Sequence, residues 1–152
     1  MVLKNINTMK LATNRKAYFE FFVVEEFDAG VVLIGNEVKS MRKGDVTISD
    51  SFVYLKDGEV WAKNVKVARY KQSYAADKHD ESRDKKLLLS RKEINKIEKL
   101  TQDKGTTIVP LSIFTLHNKI KIKIGVVKGK KLYDKRETIK KRDVERDLKR
   151  SL

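Results

Sequence analysis

The stretch Lys119-Ile120-Lys121-Ile122-Lys123-Ile124 alternates lysine and isoleucine without exception and continues through Gly125 to Val126. A period of two is a strand signature, because successive side chains point to opposite faces: the isoleucines turn to a core and the lysines to solvent. Ahead of it, Thr106 to Val109 and Ser112 to Leu116 also read as strand, and His117-Asn118 makes the turn between the runs. Pro110 interrupts the earlier run and predicts an edge or a bulge, since proline has no N–H to give a ladder. Ser51 to Lys56 and Glu59 to Val67 flank Asp57-Gly58, the strongest short hairpin signal in the chain. Tyr18 to Phe27 is dense in aromatic and β-branched residues and predicts a largely buried strand, broken at Asp28-Ala29-Gly30; Val31 to Ile34 is a further apolar run.

The remaining segments are less regular. Residues 1 to 16, with Lys4, Lys10, Asn14, Arg15 and Lys16, form a polar, basic lead-in. Gly35 to Gly44 fits a strand, a bulge or one helical turn, and periodicity does not choose among them. Residues 71 to 86, including Lys71, Gln72, Ser73 and Asp77, lack an apolar period and predict an exposed loop. Ser90 with Glu93 three residues on forms a capping box, and Leu89 against Ile94 a hydrophobic staple, so a helix begins there and stops at Gly105. Six strands with so few helices cannot make a parallel sheet, which needs a crossover for every strand. The fold class is therefore mainly β: a six-stranded antiparallel, OB-like barrel with helices packed outside it.

Composition narrows the partner. The 152 residues carry a formal charge of +14, enough for one domain (1–127) and a basic arm (128–152) whose natural partner is a polyanion. No apolar run approaches the roughly 20 residues of a spanning helix, and Met1 to Lys16 has no signal-like apolar core, so a cytoplasmic protein without a membrane partner is expected. With no cysteine, disulfides, thiolate zinc sites and cysteine nucleophiles are excluded. No metal or cofactor is expected, and the free protein is expected to be a monomer. Lys128 to Arg150 holds 11 Lys/Arg against 5 Asp/Glu, and the aliphatic residues after Leu132 are Ile139, Val144, Leu148 and Leu152. Val144, Leu148 and Leu152 share a helical face, and Glu137–Lys141 and Glu145–Lys149 are i, i+4 pairs. Such pairs give about 0.2–0.5 kcal/mol each against roughly 1–2 kcal/mol to order a residue. The arm should therefore be disordered when free and helical on binding.

Three cation clusters project from the expected barrel: Lys119, Lys121 and Lys123; Arg83, Lys85 and Lys86; and Lys39, Arg42 and Lys43. Outward lysines also guard edge strands against aggregation, but three clusters and an arm point to phosphate neutralisation. Tyr133, flanked by Lys130, Lys131, Lys135 and Arg136, suits stacking on a base. Enzyme readings have little behind them. Glu25, Glu26 and Asp28 could hold Mg²⁺ in a nuclease, yet no further acids stand at a matching strand end. His79 and His117 lie in a loop and a turn, and no phosphate loop or nucleophile elbow accompanies them.

Several motifs, in order, resemble one family. These are Asn14-Arg15-Lys16-Ala17, Phe27-Asp28-Ala29-Gly30, Gly35-Asn36-Glu37-Val38-Lys39-Ser40-Met41-Arg42-Lys43-Gly44, Lys86-Leu87-Leu88-Leu89, and Gly129 to Arg136 followed by Ile139-Lys140. From end to end the chain is similar to the SmpB, or SsrA-binding protein, family. The resemblance implies a barrel that holds the transfer-RNA-like domain of transfer-messenger RNA, and an arm that enters the decoding region of the small ribosomal subunit. It also implies a non-enzymatic adaptor for trans-translation, the alternative being a general ribosomal or RNA-chaperone protein.

Matched by position, the resemblance makes Asn14, Arg15, Lys16, Asp28, Gly30, Glu37, Val38, Lys39, Ser40, Arg42, Lys86 and Leu88 RNA-holding candidates; the cation clusters add Arg83, Lys121 and Lys123. In the decoding region the candidates are Lys130, Lys131, Tyr133, Asp134, Lys135 and Arg136. Asp28 stands where the family commonly has Glu, Ser90 where Asn or His is usual, and Lys85 where Arg is expected, which loses a bidentate fork. An acid in an RNA site should face base amino or imino groups or a 2′-hydroxyl. Without RNA, Asp28 would close a turn before Gly30 and Glu37 would pair with a nearby cation.

Overall fold

The computed structural model describes residues 8–69 and 80–151. Its elements are β1 (Thr8–Thr13), α1 (Arg15–Glu20), β2 (Phe21–Val31), α2 (Gly35–Arg42), β3 (Val46–Thr47), β4 (Phe52–Lys56), β5 (Glu59–Lys63), β6 (Lys66–Val67), β7 (Lys85–Leu88), α3 (Arg91–Leu100), β8 (Thr106–Leu116), β9 (Lys119–Gly129) and α4 (Leu132–Ser151). Six strands close a ring in the order β8-β4-β5-β7-β2-β9 and back to β8, all antiparallel. This is the expected six-stranded barrel. β1 adds to β8 beyond the point where Val53 of β4 meets Ile108, and β3 pairs with β6 in a separate two-stranded sheet.

Alternation in β9 sets the interior. Ile120, Ile122 and Ile124 face inward beside Phe27, Ala29, Val53, Val60, Leu87 and Ile113, and α3 contributes Ile94 and Ile97 to the same core. Both tight hairpins have positive φ at their two central residues, 53° and 74° at Asp57-Gly58 and 49° and 64° at His117-Asn118. That conformation matches the right-handed twist of paired strands. Ser90 caps α3 as expected: its Oγ accepts from Glu93 N at 3.2 Å and its N–H donates to Glu93 Oε1 at 3.1 Å. The helix ends at Leu100, with Gly105 (φ 82°) turning the chain into β8.

Four expectations change. Within the lead-in, Thr8–Thr13 form β1, which pairs with β8. Residues 15–20 are helical because buried Asn14 caps them, accepting from Ala17 N at 3.0 Å. Asp28-Ala29-Gly30 does not break β2, since its pairing with β9 runs from Phe21 to Gly30 with one irregularity between Val23 and Glu25; Asp28 therefore closes no turn. The expected loop 71–86 ends in β7, whose four residues join β5 to β2. Pro110 is at a bulge inside a continuous β8. Lys4, Lys71, Gln72, Ser73, Asp77, His79 and Leu152 lie outside the described residues.

The arm is a continuous helix from Leu132 to Ser151, the form its i, i+4 pairs favour, where the sequence expectation is of an arm ordered on binding. Its root is held by Lys130. The N–H donates to Glu20 O at 2.8 Å, and Nζ donates to Thr138 Oγ1 at 2.7 Å and to Tyr18 O at 3.3 Å. The same ammonium stands 5.1 Å from the Phe22 ring centroid, and the Arg142 guanidinium 5.8 Å from that of Phe19.

Candidate nucleic-acid interface

Strands β7, β2 and β9 lie side by side, and their outward residues form one surface. Leu87 of β7, Phe27 and Ala29 of β2, and the β9 isoleucines point in, so Lys86 and Leu88, then Asp28 and Gly30, then Lys119, Lys121 and Lys123 point out. Register joins them, pairing Gly30 with both Leu88 and Lys121, and Asp28 with Lys123. β9 is bonded on both sides, to β2 and β8, so its lysines guard no edge. Edge protection does not explain them.

α2 closes one side of this surface. A groove of about 410 Å³ is lined by Gly30, Val31, Leu33, Val38, Arg42, Leu88, Lys119, Ile120 and Lys121. Five of the predicted site residues, Gly30, Val38, Arg42, Leu88 and Lys121, meet in it. Its floor is aliphatic and its rim cationic. The Arg42 guanidinium is held at the rim by donating to Asn118 O at 2.6 Å, and half-exposed Leu88 (52%) forms part of an apolar wall. Val31, Leu33 and Ile120 line the groove but read from the sequence only as apolar strand residues; the closing of β9 beside β2 brings them together.

Further out, Lys123 Nζ lies 3.7 Å from Glu26 Oε2 and 3.9 Å from Asp28 Oδ1, and Lys86 pairs with Glu59 at 3.1 Å. Exposed pairs of this kind are worth about 0–1 kcal/mol, so a phosphate can compete for either lysine. The nuclease reading loses its geometry. Glu25 pairs with Lys96 at 3.1 Å while Glu26 and Asp28 flank Lys123, and no group of three potential ligands for a metal ion occurs among the described residues.

Several sequence candidates lie inside the protein. Asn14 is 1% exposed. Its amide donates to Pro110 O at 2.8 Å and Ile48 O at 3.1 Å while its Oδ1 caps α1, so its polar atoms are spent on the fold. Ser40 is buried in α2. Glu37 is 0% exposed and takes the pairing role: Oε1 accepts from Arg83 Nη2 at 2.5 Å and from Ile34 N at 3.0 Å. Lys85, expected among the projecting cations, is also fully buried, because β7 turns it inward beside Leu87. Its Nζ donates to Arg83 O at 2.7 Å and Val65 O at 2.9 Å, with Glu37 Oε2 at 3.5 Å. Burial pushes the Lys85 ammonium below its ordinary pKa, against the pull of Glu37. For Glu37 burial acts to raise the pKa, but the hydrogen bonds from Arg83 and Ile34 and the charges of Lys85 and Arg83 outweigh it and hold the carboxyl below its usual range.

Arg15 and Lys16 are exposed on α1, away from the groove, where Lys16 pairs with Asp50 at 2.9 Å. Lys39 is exposed on α2. Lys131 and Arg136 are exposed at the start of the arm, and Lys135 is half-buried; the side chains of Tyr133 and Asp134 lie outside the described residues.

The SmpB protein family model matches residues 11–152. The SsrA-binding protein of Wolbachia sp. subsp. Brugia malayi (strain TRS) is 52% identical over 134 residues, covering 88% of this chain and 89% of that protein. The SsrA-binding protein of Ligilactobacillus salivarius (strain UCC118) is 45% identical over 142 residues, covering 93% and 91%. A solved chain from the structure described as "tmRNA-SmpB: a journey to the center of the bacterial ribosome" superposes with a TM-score of 0.67 at 35% identity, covering 88% of this chain and 94% of that one.

Proposed function

The chain belongs to the SmpB family, and on that premise we propose that it is an RNA-binding adaptor for ribosome rescue. It binds transfer-messenger RNA and accompanies it to stalled ribosomes, working by shape and charge without making or breaking bonds. Its barrel holds the transfer-RNA-like domain on the β7-β2-β9 face and the neighbouring groove, with Arg42, Lys86, Lys121 and Lys123 at phosphates and Leu88 and Val38 against an apolar part of the nucleotide. Asp28 accepts from a base or a 2′-hydroxyl, and Arg15, Lys16 and Lys39 extend the basic surface. The α4 arm, from Lys130 and Lys131 through Tyr133, Asp134, Lys135 and Arg136, occupies the decoding region. No helix among the described residues is long and apolar enough to cross a membrane. The site of action is the cytoplasm, where ribosomes stall.

The observation that carries this reading is the meeting of Gly30, Val38, Arg42, Leu88 and Lys121 around one groove, from four segments between residues 30 and 121. A competition titration tests it. Transfer-messenger RNA should displace a labelled transfer-RNA-like domain at much lower concentration than an unrelated structured RNA of equal length in the same salt. Equal displacement by both would make the protein a general RNA binder.

A further inference from the structure

Glu37 matches a position that the family resemblance gives to RNA, yet it is 0% exposed. A carboxylate with no accessible surface cannot accept a hydrogen bond from a base. It does hold a residue that can reach RNA. We propose that Glu37 is a positioning residue for RNA binding, fixing the Arg83 guanidinium at the border of the groove as a phosphate contact. This rests on the reading of the β7-β2-β9 face as the RNA surface.

Arg83 is the one member of the cluster with surface: its side chain is 34% exposed, against 0% for Glu37 and 0% for Lys85. Its Nη2 donates to Glu37 Oε1 and to Val32 O, the residue after groove-lining Val31, and its Nη1 donates to Asp84 O at 3.3 Å. The guanidinium plane is thus set by contacts to β7's approach, to the segment following β2 and to α2. A planar fork held in place loses little freedom on meeting a phosphate, whereas a loose arginine must be ordered at that moment. Lys85 completes the arrangement from behind. Its ammonium balances Glu37 at 3.5 Å and bonds Arg83 O, which locates the backbone from which the arginine springs. Arg83 Nε is buried without a hydrogen-bond partner, so a guanidinium released from Glu37 gains by turning toward solvent.

For Glu37→Gln, net charge and the Arg83 contact predict opposite changes in RNA affinity. Glu37→Gln removes a negative charge, and on charge alone a protein more positive by one should hold a polyanion more tightly. Loss of the Arg83 contact predicts weaker binding. The experiment is fluorescence anisotropy of the labelled transfer-RNA-like domain with the full chain at several KCl concentrations, for wild type, Glu37→Gln, Arg83→Ala and the double variant.

Arg83→Ala should weaken binding roughly tenfold and flatten the log K against log[salt] slope by about 0.7–0.9, one phosphate's worth. Glu37→Gln should lose affinity in the same direction with the same flattening, and should cost nothing more once Arg83 is alanine. Binding by Glu37→Gln at or above the wild-type level, or losses that multiply in the double variant, would overturn the proposal.

Should Glu37→Gln not fold, the Arg83 Nε–H resonance of the wild-type protein decides. A protected signal that shifts with RNA supports the proposal, and one averaged with exposed arginines or unmoved by RNA overturns it. A wild-type protein that binds the transfer-RNA-like domain no better than unrelated RNA defeats the adaptor reading alone, because the cycle still reads out on whichever RNA the face holds. Absence of any RNA binding overturns both.

Discussion

Leu111 lies so close over Gly125 that a Cβ on the glycine would stand 2.7 Å from Leu111 Cδ1. The bulge in β8 between Pro110 and Ser112 turns Leu111 out of the barrel to pack with Ala17, Val109 and Val127 beneath α1, and only a residue without a side chain fits opposite. Gly125→Ala should therefore overpack this small cluster and destabilise the protein by about 1–3 kcal/mol. Thermal unfolding followed by circular dichroism would show it as a fall of several degrees in Tm. Gly125 faces α1, so RNA affinity below the transition should hold.

The groove separates apolar from ionic contributions. A Cβ on Gly30 would meet Leu88 Cβ at 3.2 Å, and a Cβ moves only with its backbone, so Gly30→Ala should ease β2 and β7 slightly apart and narrow the groove without unfolding the barrel. Leu88→Ala removes apolar wall worth at most about 1.5 kcal/mol, roughly tenfold in affinity. Both variants should weaken binding of the transfer-RNA-like domain with an unchanged salt slope. Arg42→Ala and Lys121→Ala should instead flatten that slope by about 0.7–0.9 each. Titrations at several salt concentrations distinguish the two classes.

The barrel was legible because its longest signal is local. The alternation of Ile120, Ile122 and Ile124 and the turns at Asp57-Gly58 and His117-Asn118 each depend on neighbours in the chain, and they are enough to specify antiparallel pairing. β7 was not legible: Lys85-Lys86-Leu87-Leu88 is too short to show a period, and the inward Lys85 is satisfied by Arg83 O, Val65 O and Glu37, partners distant in sequence or on the backbone. The helix over residues 15–20 was hidden for a related reason. Tyr18 and Phe19 have strand-like composition, but the Asn14 cap and the burial of Ala17 against Leu111 override it. The family resemblance likewise brought Asn14, Glu37 and Arg42 into one list of site residues, and burial divides them, since a motif records which residues a site requires without recording which of them face outward.

Stability should rise with pH at both ends of the range, through Glu37 in acid and Lys85 in alkali. Glu37's folded pKa lies below its unfolded value, so the unfolded chain binds the extra proton in acid, and the contribution of Glu37 is present above the unfolded pKa and lost as pH falls through the folded one. Lys85's folded pKa is also lowered. Its charged form opposes folding, and that penalty is relieved as pH climbs from the folded pKa toward the unfolded one. Urea unfolding across pH should show both limbs, with Glu37→Gln removing the acid part and Lys85→Met the alkaline part. Lys85→Met also leaves Glu37 with less compensation, and breaking a buried pair typically costs about 3–5 kcal/mol. The surviving Arg83 hydrogen bond should keep the loss near the lower figure.

The arm should be separable from the barrel. The core clusters end at Val126 and Val127, so no described side chain of α4 joins the interior, and contacts that tie the arm to the barrel include those of Lys130 and the Arg142–Phe19 pair. A chain ending at Lys131 keeps all of β9 and the bond from Lys130 N to Glu20 O. It should melt within a few degrees of the full protein and bind the transfer-RNA-like domain with little change, because the groove and the β7-β2-β9 face are intact. In a reconstituted translation assay with stalled ribosomes it should fail to support peptide tagging. Replacing Asp134, Lys135 and Arg136 together with alanine should give the same result without shortening the chain. Loss of RNA binding by either variant would mean that the arm contributes to holding the RNA, and normal tagging by both would remove it from the decoding region.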